Sequence, residues 1–210
     1  MPVSREVETL DMSKNNEQLL KQLLDDAQAS TTNLFEFYLL NDTKPISSSE
    51  NVHVFDTGLS KEVFYNVMHE FQNRYQRHQV QQYKCNVLGD TYYLNSNNQE
   101  IIILSKRTTT VEQMGKKILC VGSNKKKLSI LSFPSTHKFD NEEIVKSMTF
   151  KLSNRLSIVL LQSKTLDNQD ENSSSYEIKI SYSHDVNIDK DAIIKQVVKL
   201  IKDLEQASIC

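Results

Sequence analysis

Tyr176-Glu177-Ile178-Lys179-Ile180-Ser181-Tyr182 alternates without a break. Successive side chains of an extended chain point to opposite sides, so Tyr176, Ile178, Ile180 and Tyr182 share one face and Glu177, Lys179 and Ser181 the other. The same period of two recurs upstream. Leu34 to Leu40 sets Glu36 opposite Phe35 and Phe37, and Ser147 to Leu161 sets Phe150, Leu152, Leu156 and Ile158 against Thr149, Lys151, Ser153, Arg155 and Ser157. From Gln82 onward the segments 82–88, 91–95, 100–111, 117–121, 127–133, 147–161 and 175–183 are rich in β-branched and aromatic residues. Gly89-Asp90, Asn95 to Asn98, Ser123-Asn124 and a polar tract from Asp167 to Ser174 separate them. The reading is an α+β chain whose mainly antiparallel sheet of about eight strands is strongly curved or closed into a barrel.

Helices flank this sheet. Ser60 is suited to cap a helix in which Phe64, Val67, Met68, Phe71 and Tyr75 recur at helical spacing, with Glu62 in its first turn. Asp189 opens another, with Ile193, Val197, Leu200, Ile201 and Leu204 as its apolar stripe, and both are expected to pack outside the barrel. Ser13 is read as the cap of a third, carrying Leu20, Leu23, Leu24 and Ala27. Residues 1–12 lack periodicity and are expected to be a flexible arm preceding a single domain over 13–210.

Composition narrows the function classes. The chain has 210 residues, 38% hydrophobic, enough for a sizeable core. Its 25 basic and 27 acidic side chains leave a net charge of −2, so no global field draws it to nucleic acid or anionic lipid, and any anion site must be local. The longest aliphatic runs are too short to span a bilayer. Cys85, Cys120 and Cys210 lack a Cys-x-x-Cys pair and are read as free thiols of a reducing compartment, cytoplasm or nucleus. Cys210 stands at the end of the chain, where a prenylation box does not put its cysteine, and the Asn-x-Ser/Thr triplets at Asn41 and Asn172 are read as chance. His69-Glu70 lacks the second His of a zincin, Gly115-Lys116-Lys117 lacks the first Gly and the Ser/Thr of a phosphate loop, and 4 Gly leave no dinucleotide fingerprint.

The polar faces admit two readings. Turned to solvent, they make an ordinary half-buried sheet in which Glu36 and Glu177 are exposed and Lys106, Arg107 and Lys125 to Lys127 are solvated edge charges. Turned inward by a barrel whose outer face packs on the helices, they line a wet or charged lumen. Charge chemistry alone does not separate them, because interior Lys and Glu are costly unpaired but can pair across a barrel.

The order of motifs resembles the metal-dependent RNA 5′-triphosphatases of the triphosphate tunnel superfamily, the fungal and viral type that begins mRNA capping. The resemblance rests on Phe35-Glu36-Phe37-Tyr38, Gly58-Leu59-Ser60-Lys61-Glu62-Val63-Phe64, Ser105-Lys106-Arg107, Lys127-Leu128-Ser129-Ile130, Lys151-Leu152-Ser153-Asn154-Arg155-Leu156-Ser157-Ile158 and Tyr176-Glu177-Ile178-Lys179-Ile180-Ser181, and covers roughly 33–204. It implies a tunnel-like barrel with Lys106, Arg107, Lys127, Lys151 and Arg155 as phosphate ligands. Glu36 and Glu177 remain from paired glutamates that hold Mn2+ or Mg2+ in the family. Each pair has lost a carboxylate, to Tyr38 and to Lys179, and Phe133 stands where the family often has another Glu, so metal binding is expected to be weak. The implied function is an RNA 5′-triphosphatase-like protein with an impaired metal site that binds or hydrolyses a 5′-triphosphate end, with triphosphorylated RNA or a nucleotide as its partner. The alternative is a non-catalytic subunit of a larger assembly, with a protein partner on an open sheet face or on the Leu20-Leu23-Leu24 helix. Scaffold subunits of the same broad fold family make that alternative reasonable.

Overall fold

The computed structural model describes residues 4–7, 15–29, 32–42, 44, 46–48, 53–87, 90–95, 100–114, 117–129, 140–166, 174–184 and 189–209. Ser13, residues 130–133 with Phe133, Asn172 and Cys210 lie outside them.

The chain runs β1 (Ser4–Val7), α1 (Asn16–Ala29), β2 (Leu34–Leu39), β3 (Ser47–Ser48), β4 (His53–Asp56), α2 (Lys61–Gln72), β5 (Arg77–Val87), β6 (Asp90–Asn95), β7 (Glu100–Met114), β8 (Ile118–Ser129), β9 (Asp140–Lys151), β10 (Leu156–Thr165), β11 (Ser175–Ser183) and α3 (Lys190–Ala207). Eight strands close into a barrel in the order β10-β11-β2-β8-β7-β6-β5-β9, each described pairing being antiparallel, and β1, β4 and β3 form a small separate sheet. Residues 4–7 of the expected arm are thus a strand, paired with His53–Asp56.

Local chemistry accounts for the helices. Ser60 Oγ accepts the Val63 N–H at 3.2 Å and Asp189 Oδ1 accepts the Ala192 N–H at 3.2 Å, each satisfying one orphan donor of a first turn. At α1 the capping oxygen belongs to Asn15, which accepts the Gln18 N–H at 2.9 Å, so this helix starts later than Ser13. The helices bury their stripes on the outside of the barrel. Leu20, Leu23 and Leu24 of α1, Phe64, Val67 and Phe71 of α2, and Val197, Leu200, Ile201 and Leu204 of α3 join one core. From the barrel it takes in Phe35, Phe37, Ile118, Cys120, Phe150, Ile158, Leu160, Ile178, Ile180 and Tyr182. Gly122 permits close approach in this layer, for a Cβ there would lie 3.3 Å from the Phe35 ring and 3.2 Å from the Thr32 methyl.

Three further expectations are corrected. The stretch 147–161 is not one strand but a hairpin, because Ser153 Oγ accepts the N–H groups of Arg155 at 3.2 Å and Leu156 at 3.1 Å and turns the chain between β9 and β10. Ser123-Asn124 does not end a strand. β8 runs through it, held by Asn33, whose Oδ1 accepts the Lys125 N–H at 2.7 Å and whose Nδ2 donates to the Lys125 carbonyl at 3.0 Å. Finally, the Leu20-Leu23-Leu24 stripe and the barrel sheet are not free interfaces, since the stripe is 1–3% exposed within the chain's own core and the sheet is closed.

Candidate functional site

With Phe35, Phe37, Ile178 and Ile180 turned outward, alternation turns Glu36, Tyr38, Glu177, Lys179 and Ser181 into the lumen. β2 and β11 are neighbours, registered so that Glu36 stands opposite Ser181 and Tyr38 opposite Lys179. Glu36, Glu177 and Lys179 are 5–6% exposed, which excludes the reading of them as solvent-facing strand residues.

These buried charges have partners. The Lys179 ammonium is ion-paired with Glu36 Oε1 and donates to the Tyr38 hydroxyl oxygen at 3.3 Å, lying 5.2 Å from the Tyr38 ring centroid. The Tyr38 hydroxyl donates in turn to Glu36 Oε2 at 3.0 Å. Both oxygens of one carboxylate are therefore engaged, and the desolvated ammonium has a full charge and a ring face against it. Glu177 Oε1 accepts the Thr57 hydroxyl at 2.7 Å. Thr57 is brought there by the turn between β4 and α2, where Asp56 Oδ1 takes the Gly58 N–H at 2.8 Å and the Leu59 N–H donates to the Tyr176 carbonyl at 2.8 Å. On the far wall Lys84, on β5, pairs with Glu143, on β9, at 2.9 Å. The lumen is also partly apolar: Leu119 opposite Tyr38 and Val121 opposite Glu36 cluster with Tyr38, Leu40 and Phe55.

Sequence reasoning singled out Glu36 and Glu177 as metal ligands, and the barrel keeps them apart. Glu177 lies four residues along β11 from the position opposite Glu36, about 13 Å at ~3.3 Å per residue. A divalent cation of the Mg2+ type takes near-octahedral oxygen ligands, usually one or two carboxylates with waters. The donor set beside Glu36 does not fit one. The neighbours that could complete a carboxylate pair are Tyr38 and Ser181, and an ammonium already touches the Glu36 oxygen. Among the described residues no group of three His, Cys, Asp or Glu could hold a metal.

Of the phosphate-ligand candidates, Lys151 and Arg155 lie together on the β9–β10 hairpin. Lys151 is the exposed last residue of β9, opposite Ser157 on the lumen-facing ladder at one mouth of the barrel. Arg155 is half-buried in the following turn, its carbonyl taking the Ser183 N–H at 2.9 Å. His78, opposite Thr149, and Lys125, held by Asn33, sit near the same rim. Lys127 is described by backbone alone, opposite Ile102, and Lys106 and Arg107 by backbone alone where the β7–β8 register shifts between Ser105 and Thr110. Sequence reading missed Tyr38, Thr57, Lys84 and Glu143 as the partners of these charges. Tyr38 was available from its alternation with Glu36, whereas Thr57 lies in a loop whose approach to Glu177 no local pattern encodes.

Outside the barrel wall, burial and the Glu142 carboxylate push the Cys85 thiol up to about 11. Burial and a hydrogen bond to Glu142 likewise raise the Tyr83 phenol above its ordinary range.

No protein-family model matches the chain, and no curated protein matches it in sequence. Solved structures do match it. The S. pombe Pct1 RNA triphosphatase superposes with a TM-score of 0.61 over 92% of this chain and 91% of that one, at 6% identity. The RNA triphosphatase domain of the trifunctional mimivirus mRNA capping enzyme superposes at 0.58 over 93% and 100%, at 12% identity. The chain has the triphosphate tunnel fold. Pct1 in complex with the Spt5 CTD matches as well, with a TM-score of 0.58 over 92% of this chain and 91% of that one, at 8% identity. Among the described residues no helix of this tunnel protein is long and apolar enough to cross a membrane.

Proposed function

We propose that this is an RNA 5′-triphosphatase-like protein of the mRNA capping type that holds a 5′-triphosphate end at the mouth of its tunnel without hydrolysing it. The observation that carries the reading is the capture of the Glu36 carboxylate by Lys179 and Tyr38. Family hydrolysis depends on carboxylates presenting a metal to the phosphates, and here Glu36, one of the two that remain, is neutralised from within.

Magnitudes favour the mouth over the interior. An aligned Lys or Arg contact to phosphate contributes roughly 1.5 to 3 kcal/mol. A triphosphate deep in the barrel would have to strip Lys179 from Glu36. Breaking a buried pair costs about 3 to 5 kcal/mol, more than the contact returns. Lys151 is exposed and requires no such exchange, and Arg155 follows it in the turn.

The test is binding of a short RNA carrying either a 5′-triphosphate or a 5′-hydroxyl, followed through a salt series without divalent metal. The triphosphorylated RNA should bind more tightly, with affinity falling as salt rises, and Lys151→Ala with Arg155→Ala should abolish the difference. Equal affinity for the two RNAs, unchanged in the double variant, would sink the reading.

A further inference from the structure

We propose that the Lys179 ammonium is the resident cation of the tunnel, covalently installed beside Glu36 in place of a divalent metal, and that this one side chain is what excludes metal from the lumen. The geometry carries it. Lys179 Nζ touches Glu36 Oε1, lies 3.3 Å from the Tyr38 oxygen and sits against the Tyr38 ring, with the whole group 2–6% exposed. One buried positive charge is thus held by a carboxylate oxygen, a hard donor of the kind a small divalent ion takes, and by a phenol oxygen.

The strand register makes the idea specific. Lys179 lies directly opposite Tyr38 and two residues from Ser181, which faces Glu36, so residue 179 projects into the gap beside the Glu36 carboxylate. A Glu at 179 would end one bond short of where Nζ now stands. Its carboxylate would stop near Glu36 with room between them for an ion held at roughly 2.0 to 2.1 Å from each oxygen. Glu36 is then already placed beside a cation, and the Lys179 ammonium occupies that position. Two unscreened carboxylates would otherwise repel in so dry a place, so the Lys179→Glu protein should depend on the ion it gains.

This rests on the non-hydrolytic reading above, but its test uses no RNA, so the two fail separately. Wild-type protein, Lys179→Glu and Lys179→Gln are titrated with MnCl2. Bound Mn2+ is read from loss of the free-ion electron paramagnetic resonance signal, and folding from circular dichroism and the thermal midpoint. Wild type should show no Mn2+ uptake that depends on Glu36. Lys179→Glu should bind at least about tenfold more tightly than wild type and rise in thermal midpoint with added Mn2+, as a ligand of the folded state alone requires. Lys179→Gln, which removes the resident charge without adding repulsion, should fall between. Uptake by wild type that vanishes in Glu36→Gln would overturn the proposal. So would a folded Lys179→Glu, or a folded Lys179→Gln, that binds Mn2+ no better than wild type.

Discussion

Glu36 and Lys179 sit on neighbouring strands with side-chain exposures of 6% and 8%, so each is the other's main replacement for lost water. Removing either alone leaves an uncompensated buried charge. Glu36→Gln or Lys179→Met should each cost about 3 to 5 kcal/mol, whereas the double variant should lose much less. Urea denaturation of the four proteins measures this, and additive losses would show that the pair is not coupled. Cys85 gives a pH signature in the alkaline range. Its folded pKa is raised to about 11, so above about 9 the unfolded chain releases a proton that the folded chain keeps. Stability should therefore fall as pH rises from about 9 to 11, with Tyr83 adding to the fall at the upper end. Cys85→Ala should flatten the lower part of that decline, and an unchanged profile would remove the attribution to this thiol.

The helices and strands differ in how openly the chain declares them. α2 and α3 combine a capping side chain with apolar residues at helical spacing, both local signals, and Ser60, Asp189, Phe71 and Val197 occupy the places those signals assign. Phe71→Ala and Val197→Ala, each at a site 0% exposed, should cost roughly 2 to 5 kcal/mol in thermal or urea unfolding. Ser60→Ala should cost about 1 kcal/mol, with wild-type stability in any of the three contradicting the packing described. β11 was legible for the same reason, since its alternation is unbroken. The β9–β10 hairpin was not, because Leu152 and Leu156 keep the apolar parity through the turn and only the Ser153 hydroxyl marks the reversal. β8 hid its length in the other direction. The Asn33 amide that carries the ladder past Ser123 is about ninety residues away in sequence, so Ser123-Asn124 reads as a break until the barrel closes. The candidate site was half legible for a related reason: alternation puts Glu36, Lys179 and Glu177 on one face, but which of them touch is set by the register of β2 against β11, a tertiary fact.

At the scale of the molecule, the barrel turns an apolar face outward to three helices and a polar face inward, where Lys84 and Lys179 face Glu143 and Glu36 while Lys151 lies exposed at the mouth. A lumen neutralised this way can be stable without a ligand, which a tunnel lined by unopposed charge of one sign could not be. On the function proposed above, the fold of an RNA triphosphatase and the chemistry of one separate in this chain. The most direct measurement is release of the γ-phosphate from 5′-triphosphorylated RNA in the presence of Mn2+. The account predicts none above background for the wild-type protein at concentrations where that RNA is bound. Manganese-dependent release that disappears in Glu36→Gln, with folding retained, would contradict it by showing that the carboxylate held by Lys179 still assembles a working metal site.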